Sequence, residues 1–157
     1  MIRTDYQPGA GARLLATSHV GAGAVVCALS DYTVLKRPTR TSIQAGRDRH
    51  FEVPSVASLN HSCAPNLVVD VESLECRATR RVVPGEELSF FYPSTEWEMS
   101  EPFACRCGAP ACIRFVAGAK FLPPEILGRY VINVHIRQMM SEWLAHAVGG
   151  SHAAHAR

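Results

Sequence analysis

Two short stretches of this sequence bring together side chains that bind metals or ligands. The first, NHSCAPNL at residues 60–67, places a histidine and a cysteine between two asparagines, and Pro65 restricts the backbone there. The second, CRCGAPAC at residues 105–112, holds three cysteines together with a glycine and a proline that favour a turn. Three thiolates folded around one point would make a metal site that lacks one ligand.

We expect the missing ligand to be another cysteine, and Cys63 is the one that lies in a polar, turn-forming context. Structural zinc takes four tetrahedral ligands, and sulfur is the usual donor. Cys27 and Cys76 lie in apparent strands, where cysteine behaves as a small buried hydrophobe. Free thiols remain the alternative to a metal site. The predicted ligands of a structural Zn²⁺ ion are Cys63, Cys105, Cys107 and Cys112.

The elements that must position these residues have the pattern of short β-strands. Between residues 13 and 35, the apolar stretches RLLAT, VVCAL and YTVL are separated by turn-forming residues. Residues 67–83 have the pattern of a hairpin, and another strand is predicted for residues 87–92. Residues 36–50 are polar and have no regular period, which favours a surface loop. After residue 122 a short helical segment is followed by a helix that Asn133 would cap.

The composition narrows the class of protein. A chain of 157 residues with 47% hydrophobic residues fits one globular domain, and no apolar run is long enough to span a membrane. The start of the chain lacks the apolar core of a signal peptide, so we expect a cytoplasmic protein. A net charge of +2 with scattered arginines argues against direct binding of nucleic acid. Arginine outnumbers lysine 14 to 2, which favours a GC-rich coding sequence and a bacterial source.

Four motifs resemble the SET domain, a fold best known from S-adenosylmethionine-dependent protein lysine methyltransferases. NHSCAPN at residues 60–66 resembles its pseudoknot motif, and GEELSFFY at residues 85–92 resembles its second core motif. CRCGAPAC resembles the post-SET zinc module, and GARLLATSHVGAGAVV at residues 11–26 resembles the first SET strands. The resemblance implies a mainly β, β-clip-like fold with short helices, a threaded pseudoknot, a post-SET zinc module and a C-terminal helix.

The domain limits follow from this resemblance and from the composition. We expect a SET domain at residues 9–104 and a post-SET zinc-binding segment at residues 105–122. A C-terminal helical segment would occupy residues 123–148, and residues 149–157 would form a disordered tail.

The resemblance also assigns candidate site residues. Tyr92 would be the active-site tyrosine, and Phe103 would pack against the adenine of the cofactor unless it serves the core. An apolar channel would help an amine lose its proton, and the aromatic run FFYPSTEW supplies candidates for its lining unless they only fill the core. The implied residues for binding S-adenosylmethionine are Gly11, Ala12, Arg13, Asn60, His61, Tyr92 and Phe103, and those for the substrate channel are Phe90, Phe91 and Trp97.

Three positions depart from the family pattern. The Gly-x-Gly of the cofactor loop aligns here with residues 11–13, so either Gly9 and Gly11 serve instead or Arg13 reaches the cofactor carboxylate. Phe91 replaces the aspartate that commonly precedes the tyrosine, and Arg114 stands near an expected glycine. These changes bear on the choice of substrate more than on the fold.

Three functions remain open from the sequence. The first is an N-methyltransferase acting on a protein lysine, and the second is a SET-fold enzyme that uses S-adenosylmethionine on a small-molecule amine. The third is a zinc-stabilised interaction module without catalysis. The sequence does not determine the acceptor, the degree of methylation or the oligomeric state.

Overall fold

The computed structural model describes residues 2–9 and 11–150, and most of its regular elements are short strands. Two helices follow near the C-terminus, α1 (Pro124–Leu127) and α2 (Val134–Gly150), and 3₁₀ turns occur at Pro54–Val56, Tyr92–Ser94 and Ala119–Phe121. The strands are β1 (Ile2–Gln7), β2 (Gly11–Ala16), β3 (Val25–Ala28), β4 (Thr33–Leu35), β5 (Ile43–Gly46), β6 (Arg49–Glu52), β7 (Asn60–His61), β8 (Leu67–Asp70), β9 (Glu75–Ala78), β10 (Ser89–Phe90), β11 (Phe103–Ala104) and β12 (Phe115–Val116).

The strands form five small sheets instead of one large one. The hairpin β1–β2 is antiparallel, and β8, β9 and β3 form a three-stranded antiparallel sheet. A second three-stranded sheet has the order β4-β6-β5, and β11 pairs with β12. The pair β7–β10 is parallel. The predicted mainly β architecture with short helices is therefore confirmed, including the hairpin between residues 67 and 78.

The N-terminal strand was not predicted from the sequence. Residues 2–7 pair with β2 in a register that joins Ile2 to Ala16 and Gln7 to Gly11. Of the residues of this strand, two are half-buried and the others are exposed, so the sequence has a weak apolar pattern there. The strand forms because it pairs with β2. The domain limits given above stay predictions, with β1 lying before the expected start of the SET domain.

The prediction of a surface loop over residues 36–50 was wrong for its second half. β5 begins at Ile43, and β6 begins at Arg49 and pairs with both β4 and β5. Gln44 hides the strand from a hydropathy pattern because it is a polar residue that is only 4% exposed. Its side chain is buried because its oxygen accepts the backbone N–H of Trp97 at 2.8 Å.

Among residues 134–147, whose burial the structure describes, the C-terminal helix packs on the core through its first turns. Ile136 and Met139 are buried, whereas Trp143 and Leu144 on the same stripe are 49% and 45% exposed. Asn133 does not act as a side-chain cap, because its amide accepts the N–H of Val71 and donates to the carbonyls of Val69 and Ser94. The helix extends to residue 150, beyond the predicted start of the tail, and residues 151–157 lie outside the described residues.

Within the described residues, no helix combines the length and the apolar character that crossing a membrane requires.

Candidate active site

Tyr92 lies where the parallel strand pair ends and the chain turns. Its hydroxyl donates to the carbonyl of Leu59 at 2.8 Å, and its backbone N–H donates to Nδ1 of His61 at 3.2 Å. Burial, with a further contribution from the charge of Glu96, raises the pKa of Tyr92 to about 12. The phenol therefore keeps its proton at neutral pH and acts as a fixed dipole rather than as a base.

The parallel pair β7–β10 holds the two central motifs together. Asn60 is in register with Ser89, and His61 is in register with Phe90. Asn66, which is 2% exposed, reinforces this pairing: its amide donates to the carbonyl of Glu87 at 2.8 Å and accepts the N–H of Ser89 at 2.9 Å. The sequence analysis did not single out this positioning residue, although the second asparagine of NHSCAPN could have indicated it.

Asn60 connects β7 to the start of β2. Its Nδ2 donates to the carbonyl of Ala12 at 3.2 Å and to the carboxylate of Glu87 at 2.9 Å. Gly9 and Gly11 have φ angles of 80° and 88°, a left-handed conformation that side chains disfavour. Both glycines thus have backbone conformations that suit the first of the two alternatives raised by the sequence, and the use of Gly9 and Gly11 in the cofactor loop stays a prediction.

Arg13 is engaged in a local ion pair. Its guanidinium contacts the carboxylate of Asp5 at 2.8 Å and that of Glu87 at 3.9 Å. The second alternative, in which Arg13 reaches a cofactor carboxylate, would require it to leave Asp5. The ion pair between Arg13 in β2 and Asp5 in β1 gives Arg13 a structural role, which is to stabilise the hairpin and the turn that joins its strands.

His61 joins the tyrosine to the cysteine cluster. Burial lowers its pKa to about 4, so the imidazole is neutral near pH 7. Because Nδ1 accepts the N–H of Tyr92, the ring proton lies on Nε2, which faces the sulfur of Cys63 at 3.3 Å. Phe103 completes an aromatic cluster, with its ring centroid 6.0 Å from that of His61 and 6.1 Å from that of Tyr92.

The chemistry of these residues fits S-adenosylmethionine. Both hydrogen bonds of Asn60 use its Nδ2, which leaves Oδ1 as an acceptor for an ammonium group. The backbone at Gly9 and Gly11 is open, since a Cβ built on either glycine meets nothing within 4 Å. Phe103, a half-buried ring that meets the ring of Tyr92 edge to face, offers an apolar surface of the kind that a flat adenine contacts.

The four predicted cysteines come together at one point. Their sulfur atoms all lie within 4.8 Å of one another, and those of Cys63 and Cys105 are 3.9 Å apart. Zinc–sulfur bonds of about 2.3 Å in a tetrahedron place sulfur atoms about 3.8 Å apart. Burial raises the pKa of Cys105 to about 11 and also raises that of Cys63, so the thiolates of these two residues need a compensating positive charge. At Cys107 burial also raises the pKa, but hydrogen bonds, led by that of the Ala109 backbone, outweigh it and lower the pKa to about 6. The residues therefore fit a structural zinc ion.

The strands β11 and β12 frame this cluster. The N–H of Ile113 points to the sulfur of Cys63, and the N–H of Arg114 points to that of Cys112, both at 3.4 Å. Arg114 has a φ angle of 65°, so this position keeps a glycine-like backbone without a glycine. The departure from the family pattern changes the side chain here and leaves a backbone form that glycine favours.

The aromatic run after β10 divides between two sides of the chain. Phe90 packs on Tyr92, with ring centroids 4.8 Å apart, and both line a pocket next to the tyrosine. Phe91 instead stacks on Tyr130 at 3.6 Å, and Trp97 lies edge-on to Trp143 at 6.4 Å. Alternation along the extended chain sends the side chains of Phe90 and Phe91 to opposite sides. Trp97 follows the 3₁₀ turn at Tyr92–Ser94, and of the three channel candidates Phe90 alone lines this pocket.

Glu96 lies in the same pocket, and the sequence analysis did not identify it. It is 6% exposed, and burial raises its pKa from 4.5 to about 7. A single carboxylate inside the aromatic run FFYPSTEW is the sequence feature that could have revealed it.

The chain is similar to known proteins over most of its length. A family model described as SET domain matches residues 11–93. Methyltransferase flvH of Aspergillus flavus is 37% identical over 123 residues, which covers 76% of this chain and 69% of that protein. The H3 lysine-36 specific histone-lysine N-methyltransferase of Candida albicans is 39% identical over 98 residues, covering 55% of this chain and 11% of that protein.

A solved structure shares the fold at low sequence identity. The crystal structure of KRYPTONITE in complex with mCHG DNA and SAH superposes with a TM-score of 0.58 and 20% identity, covering 73% of this chain and 28% of that one. The two relatives named above are eukaryotic, so the expectation of a bacterial source, which came from composition, has no support from them.

Proposed function

This chain belongs to the SET-domain family, and we propose that it is an S-adenosylmethionine-dependent N-methyltransferase whose acceptor is the side-chain amine of a protein lysine. The family supports the methyltransferase activity and the cofactor. The protein acceptor is the finer proposal, and it draws on relatives such as the histone-lysine enzyme of Candida albicans, of which this chain spans 11%.

One arrangement carries the proposal: Leu59 and Asn60, at the start of β7, are hydrogen-bonded both to Tyr92 and to the start of β2. Asn60 binds Ala12 on one side, and the carbonyl of Leu59 holds the tyrosine hydroxyl on the other. S-adenosylmethionine, when bound, supplies a methyl group activated by a sulfonium. Asn60 would hold the cofactor ammonium through Oδ1, while Tyr92 would align the methyl group and exclude water.

The zinc cluster supports this arrangement from the C-terminal side. Cys63 lies two residues after His61, so a zinc ion held by the four cysteines fixes one end of the loop that carries the cofactor residues. The aromatic ring of Phe103 is held against this loop by β11. The zinc ion would therefore have a structural role, and methyl transfer itself would not require a metal ion.

A small-molecule amine is the second candidate acceptor. The match to Methyltransferase flvH covers 69% of that protein, whereas the match to the Candida albicans histone enzyme covers 11% of it. The name of the former specifies no protein acceptor. This similarity to a short methyltransferase favours an acceptor that is recognised by the SET core alone.

A zinc-stabilised module without catalysis is the third candidate, and failure of the wild type to bind S-adenosylmethionine would distinguish it from the two enzymes.

A cytoplasmic location also remains a proposal, as does the expectation that the protein binds neither nucleic acid nor membranes directly.

Calorimetric titration of the zinc-loaded protein with S-adenosylmethionine tests the proposal. We expect micromolar binding by the wild type and at least a tenfold loss in Asn60→Ala, because that variant lacks the acceptor for the ammonium. Ser62→Ala, which changes a polar side chain in the same loop, should bind as the wild type does. If the wild type does not bind the cofactor, both enzymatic candidates are wrong and the non-catalytic module is favoured.

The acceptor is then identified with the same preparation and a labelled methyl donor. Transfer to lysine-containing proteins or peptides would support the proposed acceptor. Transfer confined to free amines would favour the small-molecule candidate.

A further inference from the structure

A pocket next to Tyr92 is lined mostly by apolar and hydroxyl-bearing side chains. Among the lining residues that the structure describes, only Arg40 and Glu96 are charged. The side chain of Arg40 is 81% exposed and lies 3.9 Å from Glu101, which places its charge at the rim. Glu96 is 6% exposed, so its carboxylate is the charged group inside.

The carboxylate of Glu96 is anchored through one of its two oxygens. Oε1 accepts the backbone N–H of Gln44 at 2.8 Å and the hydroxyl of Thr95 at 3.0 Å. The side chain of Gln44 in turn accepts the N–H of Trp97, which fixes the segment around Glu96. Within the described part of the chain, Oε2 receives no hydrogen bond, and it is available to a ligand.

These contacts do not explain why the residue is a glutamate and not a glutamine. A glutamine would accept the same two hydrogen bonds through its amide oxygen and would avoid burying a carboxylate. A buried carboxylate without a cationic partner is unfavourable, and burial accordingly raises the pKa of Glu96 to about 7. The charge therefore points to a cation that comes from outside the chain.

We propose that Glu96 is a specificity-determining residue that binds the nitrogen of an alkylammonium acceptor in the pocket beside Tyr92. This inference rests on the proposed function, since it places the acceptor amine next to the tyrosine of the transfer site. The apolar part of the pocket, formed by residues such as Leu59 and Phe90, would contact the alkyl chain of the acceptor. Glu96 Oε2 would contact the charged end.

The same carboxylate gives the acceptor proton a destination. An ammonium nitrogen has no lone pair, so one N–H bond must break before the nitrogen can attack a methyl group. The proton passes to Oε2 of Glu96, an O–H bond forms there, and the electron pair of the broken bond stays on nitrogen. No oxidant or reductant is needed. Raising the pKa of the carboxyl brings it closer to that of the amine, which makes this transfer less unfavourable.

The test uses the zinc-loaded full chain and two small probes of equal size, n-butylammonium and 1-butanol. Binding is measured by chemical-shift changes in ¹H–¹⁵N spectra, with and without S-adenosylhomocysteine, for the wild type, Glu96→Gln and Glu101→Gln. Glu101→Gln is the matched control because it removes the same charge from the rim, where the side chain is 66% exposed. Glu96→Gln keeps the shape of the side chain and an acceptor for both anchoring hydrogen bonds.

We expect the wild type to bind n-butylammonium at least about tenfold more tightly than does Glu96→Gln, as is typical of a hydrogen bond to a charged group. Glu101→Gln should stay within twofold of the wild type, and 1-butanol should not distinguish the variants. Equal affinities of wild type and Glu96→Gln for the ammonium, or failure of the wild type to bind it, would overturn the inference. Loss of S-adenosylhomocysteine binding alone, with the charge dependence intact, would count against the proposed function and leave the role of Glu96 standing.

Discussion

Replacing Glu96 by glutamine should stabilise the protein by an amount that grows with pH. Burial raises the pKa of Glu96 from 4.5 to about 7 in the folded protein. Between these two values the folded state binds more protons at this site than the unfolded state does. Stability conferred by the protonated carboxyl is therefore lost as pH rises through this window, and the glutamine variant does not lose it.

The size of the effect follows from the two pKa values. A separation of about 2.5 pH units corresponds to about 3 kcal/mol at pH values well above 7, at about 1.4 kcal/mol per unit. Between pH 5.5 and pH 8, where the zinc cluster can be studied, linkage gives a change of about 2 kcal/mol in the stability difference between variant and wild type. The side chain is 6% exposed, so solvent screening reduces this figure little.

Urea unfolding of zinc-loaded wild type and Glu96→Gln across this pH range measures the difference directly. The titrations of histidines such as His61 occur in both proteins and cancel in the comparison. Glu101→Gln is a control for removal of a surface carboxylate, and its stability should follow that of the wild type. Parallel stability curves for Glu96→Gln and wild type would refute the reasoning, because they would mean that Glu96 ionises in the folded state as it does in the unfolded chain.

Three other perturbations have definite expected results. Cys112→Ser should reduce the zinc content well below one ion per chain and lower the midpoint of thermal unfolding. Cys27→Ser, which lies outside the cluster, should keep one zinc ion, and metal analysis with thermal unfolding measures both variants. Asn66→Ala should destabilise the fold by about 3 kcal/mol in urea unfolding, because it leaves the N–H of Ser89 and the carbonyl of Glu87 without their partner; a loss below 1 kcal/mol would contradict this role. Asn133→Ala should release the start of α2 and speed its amide exchange relative to that of β8, because the amide joins the helix to the carbonyls of Val69 and Ser94; unchanged protection would contradict it.

The features that the sequence predicted well depend on local pattern or on motifs. Glycine-bounded apolar stretches identified β2, β3 and β4, and the match of residues 11–93 to the family model confirmed the predicted SET fold. The polar context of Cys63 distinguished it from the strand cysteines, and the structure brings it to the other three cysteines. The zinc ligands could be selected because each lies in a turn-forming stretch.

The features that were missed depend on partners far away in the chain. Gln44 lies in a strand and not in a loop because its side-chain oxygen accepts the backbone N–H of Trp97, 53 residues later. Asn133 has the sequence position of a helix cap, but its side-chain amide is hydrogen-bonded instead to the carbonyl of Val69 in β8 and to the N–H of Val71. Glu96 and Gln44 form one buried polar group across 52 residues, which neither hydropathy nor periodicity can predict. In each case a tertiary hydrogen bond overrides the local preference.

The distance along the chain between the zinc ligands has a consequence for the order of folding. Cys63 precedes Cys105 by 42 residues, whereas the other three ligands lie within one turn-rich stretch. Closing a long loop costs more chain entropy than closing a short one, and non-local topologies fold slowly. The three nearby thiolates can therefore capture a metal ion early, while the fourth arrives only after β7 has paired with β10. With Co²⁺ as a coloured substitute, the appearance of four-sulfur coordination would mark the last step of assembly.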